Sequence, residues 1–227
     1  KMYKIYDDWP KIAKKSYEHN WKQLKIQNIN HIVFAGMGGS GSVGDIFSSI
    51  LSKTKIHVTV VKGYILPITV DKNSLVISIS VSGNTVETLS ILDQAKNLNC
   101  KLIAFCSGGK MEKFCKSNMI DYRKIKEYDS PRASFTSYVY AMLKILELIL
   151  PITKKEIGNS IKNLEKLKTE ISSNNLTESN QSIKLAKWIS GIPLIYYPWG
   201  LQAAAIRFKN SLQENAKTHA LAEDVIE

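Results

Sequence analysis

Four short runs stand out where apolar or β-branched residues follow one another almost without interruption: "HIVFA" (31–35), "IHVTVV" (56–61), "SLVISIS" (74–80) and "KLIAFC" (101–106). Runs of this length bounded by turn residues read as strands buried on both faces. Between them the pattern changes to helical spacing. Residues 10–26 predict an amphipathic helix carrying Ile12, Tyr17, Trp21 and Leu24. A helix follows "GMGGSGS" to about Lys53, and another follows "VSGNT" to about residue 97. A short helix and a short strand near 120–125 come next, and "SPRASF" (130–135) opens a long apolar helix that ends before Pro151. Strands alternating with helices predict an α/β fold: a doubly wound parallel sheet flanked by helices.

The pattern then shifts. Residues 154–171 predict a charged linking helix, "SSNNLTESNQS" (172–182) a polar loop leading to a further helix, "IPLIYYPWG" (192–200) a strand and turn, and 201–217 a helix. This strand-turn-helix order repeats that of residues 31–52. One such unit cannot bury its own faces, so a second α/β domain is expected to begin here and stop. The expected division is 1–152 for the first domain with its N-terminal helix, and 153–227 for the linker helix and an incomplete second domain. The sequence is accordingly expected to be part of a longer protein.

Composition narrows the chemistry. The chain of 227 residues is 44% hydrophobic and carries a formal net charge of +11. Only Arg123, Arg132 and Arg207 among its 31 basic residues are arginines, and the lysines are scattered rather than massed. That reads as a solvated surface, with no nucleic-acid partner expected. Cys100, Cys106 and Cys115 are odd in number and lack C-x-x-C spacing. They argue against a disulfide framework or a zinc site and for a reducing cytoplasm. No signal peptide or membrane span is expected, because Lys144 and Glu147 interrupt the greasiest helix.

Two predicted strand ends carry clustered glycines and hydroxyls. The first delivers "GMGGSGS" with Ser40 and Ser42; the third delivers "SVSGNT" with Ser80, Ser82, Asn84 and Thr85. Glycines let backbone approach an oxyanion, and N–H groups at a helix start favour negative charge. The pair reads as a cradle for one phosphate; glycines and serines that merely make tight turns are the plainer alternative. Gly36, Gly38 and Gly41 also satisfy the dinucleotide pattern G-x-G-x-x-G. That reading demands an acidic residue at the end of the second strand, where "VVKGY" places Lys62. A nicotinamide-dependent oxidoreductase is therefore disfavoured.

"GMGGSG", "SVSGNTVET", "SPRASF" and the later "QENAKTHA" together resemble the sugar isomerase (SIS) domain, and in order and spacing the bifunctional phosphoglucose/phosphomannose isomerases. The resemblance implies two SIS domains in a homodimer, hexose 6-phosphate substrates, and no metal or other cofactor. It implies phosphate contacts from Ser40, Ser80, Ser82, Thr85 and the amide of Gly39. It places Arg132 beside the C1–C2 edge of the sugar and makes Glu214 the catalytic base. The ring-opening histidine of that family would fall near position 230, beyond the last residue, and His219 is taken as a different residue. Chemistry agrees with these roles: a carboxylate can carry a proton between C2 and C1, and a permanently charged guanidinium can stabilise the enediol oxygens. The alternative is a non-catalytic SIS module that senses a sugar phosphate and needs neither Glu214 nor Arg132. Glu87 and Asp45 are expected to complement helix dipoles, His31 and His57 to be structural, and Tyr196, Tyr197 and Trp199 to pack.

Overall fold

The computed structural model describes residues 2–225; Ile226 and Glu227, which fall in the predicted second domain, lie outside the described residues. The chain divides into two compact units, Lys15–Pro151 and the N-terminal residues to Lys14 with Ile152 onward.

The larger unit is built on a five-stranded, wholly parallel sheet of β1 (His31–Gly36), β2 (His57–Val61), β3 (Ser74–Ser80), β4 (Lys101–Cys106) and β5 (Asp121–Lys124), in the order β2-β1-β3-β4-β5. Every residue of β1 and β3 is buried, as the continuous apolar runs require of central strands, whereas β2 and β5 at the edges are partly exposed. The helices between strands are α3 (Gly39–Leu51), α4 (Val86–Ala95), α5 (Gly109–Ser117) and α6 (Phe135–Ile145). On one face Phe34 of β1 stacks on Phe47 of α3, ring centroids 5.6 Å apart. Gly44 permits this closeness, since a Cβ there would lie 2.9 Å from the Cβ of Phe34. On the other face Val33, Ala35 and Val76 pack against Ile91 and Ala95 of α4. The chain passes from β2 to β3 without a helix. Instead Leu66 and Val70 of the connecting strap fill the space over Val33 and Val76.

Two predicted helices are shorter than their patterns suggested. The first, expected over 10–26, is α2 (Trp9–Glu18), and a separate helix that the pattern did not predict, α1 (Met2–Asp7), precedes it. Beyond Glu18 an irregular segment carries Leu24 into the core, where its N–H donates to Ile145 O at 2.8 Å. The apolar helix α6 starts at Phe135, not at Ser130. Asp129 takes a left-handed φ of 54°, and the Ser134 hydroxyl accepts from Tyr128 N at 2.8 Å and donates to Ser130 O at 2.9 Å. This local network holds residues 130–134 as a turn, and Arg132 stands in it rather than in a helix.

The second unit contains α1, α7 (Lys154–Ile171), α8 (Gln181–Trp188), β6 (Leu194–Tyr197), α9 (Gln202–Ser211) and β7 (Leu221–Asp224). Thr153 and Glu156 cap α7 reciprocally. Strand β7, which the hydrophobic pattern did not announce, pairs in parallel with β6, Leu194 opposite Leu221. Tyr196 and Trp199 are 63% and 90% exposed, so they do not pack as expected. No helix among the described residues is long and apolar enough to cross a membrane.

At the lower edge of the sheet, His31 is buried beside His57, with Nε2 of His31 2.9 Å from Thr59 Oγ1. Burial first, and then repulsion from His57, hold the His31 pKa below its usual value. A base whose pKa is lower folded than unfolded supports the fold fully above its unfolded value of about 6.5. That support is lost as pH falls toward the folded value, because the unfolded chain then binds more protons. Thermal unfolding followed from pH 8 to 5 should therefore show a midpoint that is flat at the alkaline end and declines below about pH 6.5, and His31→Gln should flatten the decline.

Candidate functional site

Strands β1 and β3 are neighbours, yet the chain leaves them in opposite directions along the sheet: toward β2 from the first and toward β4 from the second. The carboxyl ends of such a pair flank the switch point at which open α/β sheets bind ligands. Both hydroxyl-rich loops emerge there.

The first loop is set by glycine packing. Gly38, the residue before α3, has φ 53°. A Cβ on Gly36 would lie 2.7 Å from Ser40 C, and one on Gly41 would lie 2.8 Å from Gly36 O, so the turn closes on itself with no room for side chains. Ser40 N and Gly41 N both turn back to Met37 O, at 3.0 and 3.3 Å. No such return bond ties the amide of Gly39 among the described residues. The Ser42 hydroxyl bends to Gly38 O at 3.3 Å, while Ser40 is buried at the start of the helix. A Cβ on Gly39 would lie 3.9 Å from Arg132 Cα and from Pro131 O. The 130–134 turn therefore lies against the glycine loop and presents half-buried Arg132 beside it.

The second loop is set by hydroxyl pairing and a latch. Ser80 Oγ and Thr85 Oγ1 are 2.8 Å apart. Thr85 precedes α4, but its hydroxyl makes no capping bond to the helix N–H groups. The Ser82 hydroxyl accepts from Asn84 N at 3.3 Å. Asn84 itself belongs to a different task from the one read in the sequence. Its Oδ1 accepts from Lys110 N at 3.1 Å, which satisfies the start of α5. The same contact is so close that a Cβ on Gly83 (φ 67°) would fall 1.8 Å from Gly108 O. "SGG" at 107–109, a third glycine-rich strand end, was visible in the sequence but not singled out. Its role is to let the second loop dock.

The structure thus brings Gly39, Ser40, Ser80, Ser82, Thr85 and the Arg132 turn to one edge of the larger unit. Glu214 lies in the other unit, half-buried, in a single π-helical turn (Leu212–Ala216) that continues α9 and ends at Lys217, φ 58°. The pattern had predicted ordinary helix through this stretch; π turns are rare and recur at functional sites. Asp45, read as a dipole partner, instead pairs with Lys62 at 2.7 Å. Cys106 and Cys115 are buried and unoxidised, and burial pushes the Cys115 thiol up to about 12, so neither is poised as a nucleophile.

Residues 25–150 match the SIS domain family, and residues 178–227 match the bacterial phospho-glucose isomerase C-terminal SIS domain. A bifunctional phosphoglucose/phosphomannose isomerase of Caldicellulosiruptor bescii is 33% identical over 96% of this chain and 67% of its own length. Its counterpart in Aquifex aeolicus is 34% identical over 83% of this chain and 57% of its own length. The chain thus spans between 57% and 67% of these two relatives. Among solved structures, the C-terminal domain of glucosamine-fructose-6-phosphate aminotransferase from Francisella tularensis superposes with a TM-score of 0.70 at 18% identity, covering 98% of this chain and 69% of that one. It supports the fold alone.

The latch yields a direct test. Gly83→Ala should lower the urea midpoint by the equivalent of about 3 kcal/mol or more, since the added methyl meets a carbonyl oxygen and the backbone sits where side chains are strained. Gly63→Ala, at a position with open space around the added Cβ, should change it by less than about 1 kcal/mol.

Proposed function

The chain belongs to the SIS-domain family, and on that premise we propose that the protein is an aldose–ketose isomerase of hexose 6-phosphates, interconverting glucose 6-phosphate or mannose 6-phosphate with fructose 6-phosphate. The observation that carries the reading is the pair of helix starts at β1 and β3, where hydroxyls and an untied amide converge and no N-cap side chain closes the helix. A phosphate dianion suits that edge: it accepts from N–H and O–H donors and lies at the positive ends of two helix dipoles. Ser40, Ser80, Ser82, Thr85 and the Gly39 amide are the proposed donors. One of the Ser80 and Thr85 hydroxyls donates to the other, which leaves the second proton for the anion, and turning a single rotor frees the first.

The reaction moves one proton. In the proposed mechanism the Glu214 carboxylate takes hydrogen from C2 of the open-chain aldose. The freed electron pair forms the C1–C2 double bond, and the carbonyl oxygen at C1 takes a proton to give a cis-enediol. Return of the proton to C1, with loss of the proton on O2, leaves the ketose. Arg132 supplies a fixed positive charge for the enediol oxygens, a role for which its planar and permanently ionised group is suited. The homodimer implied by the resemblance is part of the same proposal.

Two measurements on the intact protein test this. Glu214→Gln should retain binding of fructose 6-phosphate but lose exchange of its C1 hydrogen, and of the C2 hydrogen of glucose 6-phosphate, with deuterated water by about 100-fold or more. Exchange that is absent from the wild type would favour a sensing module. Ser80→Ala with Thr85→Ala should weaken fructose 6-phosphate binding about tenfold or more, read by calorimetry, as expected when charge-assisted bonds are removed. Unchanged affinity would remove the cradle.

A further inference from the structure

A hexose 6-phosphate has two ends, and the residues assigned so far serve only those: the cradle for the phosphate, Arg132 and Glu214 for the C1–C2 end. The hydroxyls between have no partner. The segment that carries Arg132 offers one. Residues 125–134 leave β5 at one edge of the sheet and reach the glycine loop after β1, so they cross the carboxyl ends of β4 and β3. Ile125 N donates to Cys106 O, at the end of β4, at 2.8 Å. The next residue, Ser107, joins both sides. Its N–H donates to the carbonyl of Val81, between Ser80 and Ser82, at 3.0 Å, and its hydroxyl donates to Glu127 Oε2 at 3.1 Å. A Cβ on Gly109 would lie 2.7 Å from Ser82 O, so the turn after β4 rests on the cradle loop itself. The backbone of Glu127 is held on both flanks by α6 and the turn before it: Ser137 Oγ donates to Lys126 O at 3.3 Å, and Tyr128 N donates to Ser134 Oγ at 2.8 Å. Among the described residues, the Ser107 hydroxyl is the one donor that meets the half-buried Glu127 carboxylate. A carboxylate accepts from several donors at once, so most of its capacity is left over.

We propose that Glu127 is a specificity-determining contact of the site: its carboxylate accepts from sugar hydroxyls that lie between the phosphate and the C1–C2 end, and Ser107 fixes its direction. The inference rests on the hexose 6-phosphate reading. Hydroxyls that donate to a carboxylate make charge-assisted bonds, stronger than neutral ones. The same negative charge repels a phosphate that brings no hydroxyls. The residue therefore favours a sugar phosphate over the free anion by attraction to one and repulsion of the other. A backbone held on both flanks suits that task, because a contact that discriminates must be aimed.

Calorimetry on the intact protein with two probes, fructose 6-phosphate and inorganic phosphate, separates a ligand contact from a structural tie. Glu127→Gln keeps the size of the side chain and an oxygen for Ser107 but removes the charge. It should weaken fructose 6-phosphate binding about tenfold or more and leave inorganic phosphate binding unchanged or tighter. Ser107→Ala removes the tie and keeps the carboxylate, so it should weaken fructose 6-phosphate binding less than Glu127→Gln does. Unchanged fructose 6-phosphate affinity in Glu127→Gln would overturn the proposal. So would a loss shared by both probes, or a larger loss in Ser107→Ala, since either would make Glu127 a support of the fold or of the cradle. The substrate reading fails by a different result: a wild type that binds inorganic phosphate but not fructose 6-phosphate would overturn both.

Discussion

A helix must satisfy the N–H groups of its first turn, and the different ways this chain does so set where a ligand can bind. Helices α7 and α8 are closed by their own caps, Thr153 and Asn180. Helix α5 begins after a glycine and is closed from outside, by Asn84 of the neighbouring loop. At α3 and α4, neither Gly38 nor Thr85 supplies a capping bond, and the Thr85 hydroxyl is turned instead to Ser80. Those two helices are the ones that follow the adjacent strands β1 and β3. Helices α6 and α9 also lack a side-chain cap, but α3 and α4 alone join that feature to the carboxyl ends of two adjacent sheet strands, which is what makes this edge the proposed anion site.

That edge is made accurate by crowding rather than by openness. Gly36 and Gly41 close the first turn against each other, and Gly83 docks on Gly108 at a distance no side chain could share. A loop so confined has few alternative backbone conformations. Pre-organisation of this kind favours binding because less freedom remains to be lost. Serine and threonine suit the proposed role. Their side chains are short, and their hydroxyl rotors can turn from each other to an anion without moving the backbone.

Much of this architecture was legible in the sequence because its signals are local. The apolar runs marked four strands as buried on both faces; every residue of β1 and β3 is, whereas β2 at the sheet edge is partly exposed. Glycine and hydroxyl clusters just past a strand marked the loops. What could not be read depends on partners distant in sequence. Asn84 looks like one more polar loop residue until Lys110 stands beside it. Lys62 looks like an ordinary surface cation, and Asp45 like a dipole partner, until the strap crosses Gly41. The turn at Arg132 was mistaken for a helix start because serine and proline signal both. Only the pairing of Ser134 with Tyr128 and Ser130 decides which.

The proposed base shows where sequence chemistry and backbone geometry meet. Glu214 belongs to a stretch whose residues are ordinary helix formers, yet α9 gives way there to one π turn and a left-handed lysine. An added residue in a helical turn rotates every side chain that follows and loosens the hydrogen-bond ladder, so it persists only where something offsets that loss. Around the turn, Thr218 N reaches Leu212 O at 3.4 Å and the Gln213 amide reaches Ala220 O at 3.4 Å. Both contacts sit near the long limit for such bonds. Weak bonds of this length stabilise the turn little. A glutamate whose aim depends on an unusual turn is more exposed to small sequence changes nearby than one on a regular helix. For the same reason, the irregularity at Glu214 supports a role in chemistry better than the residue type alone could.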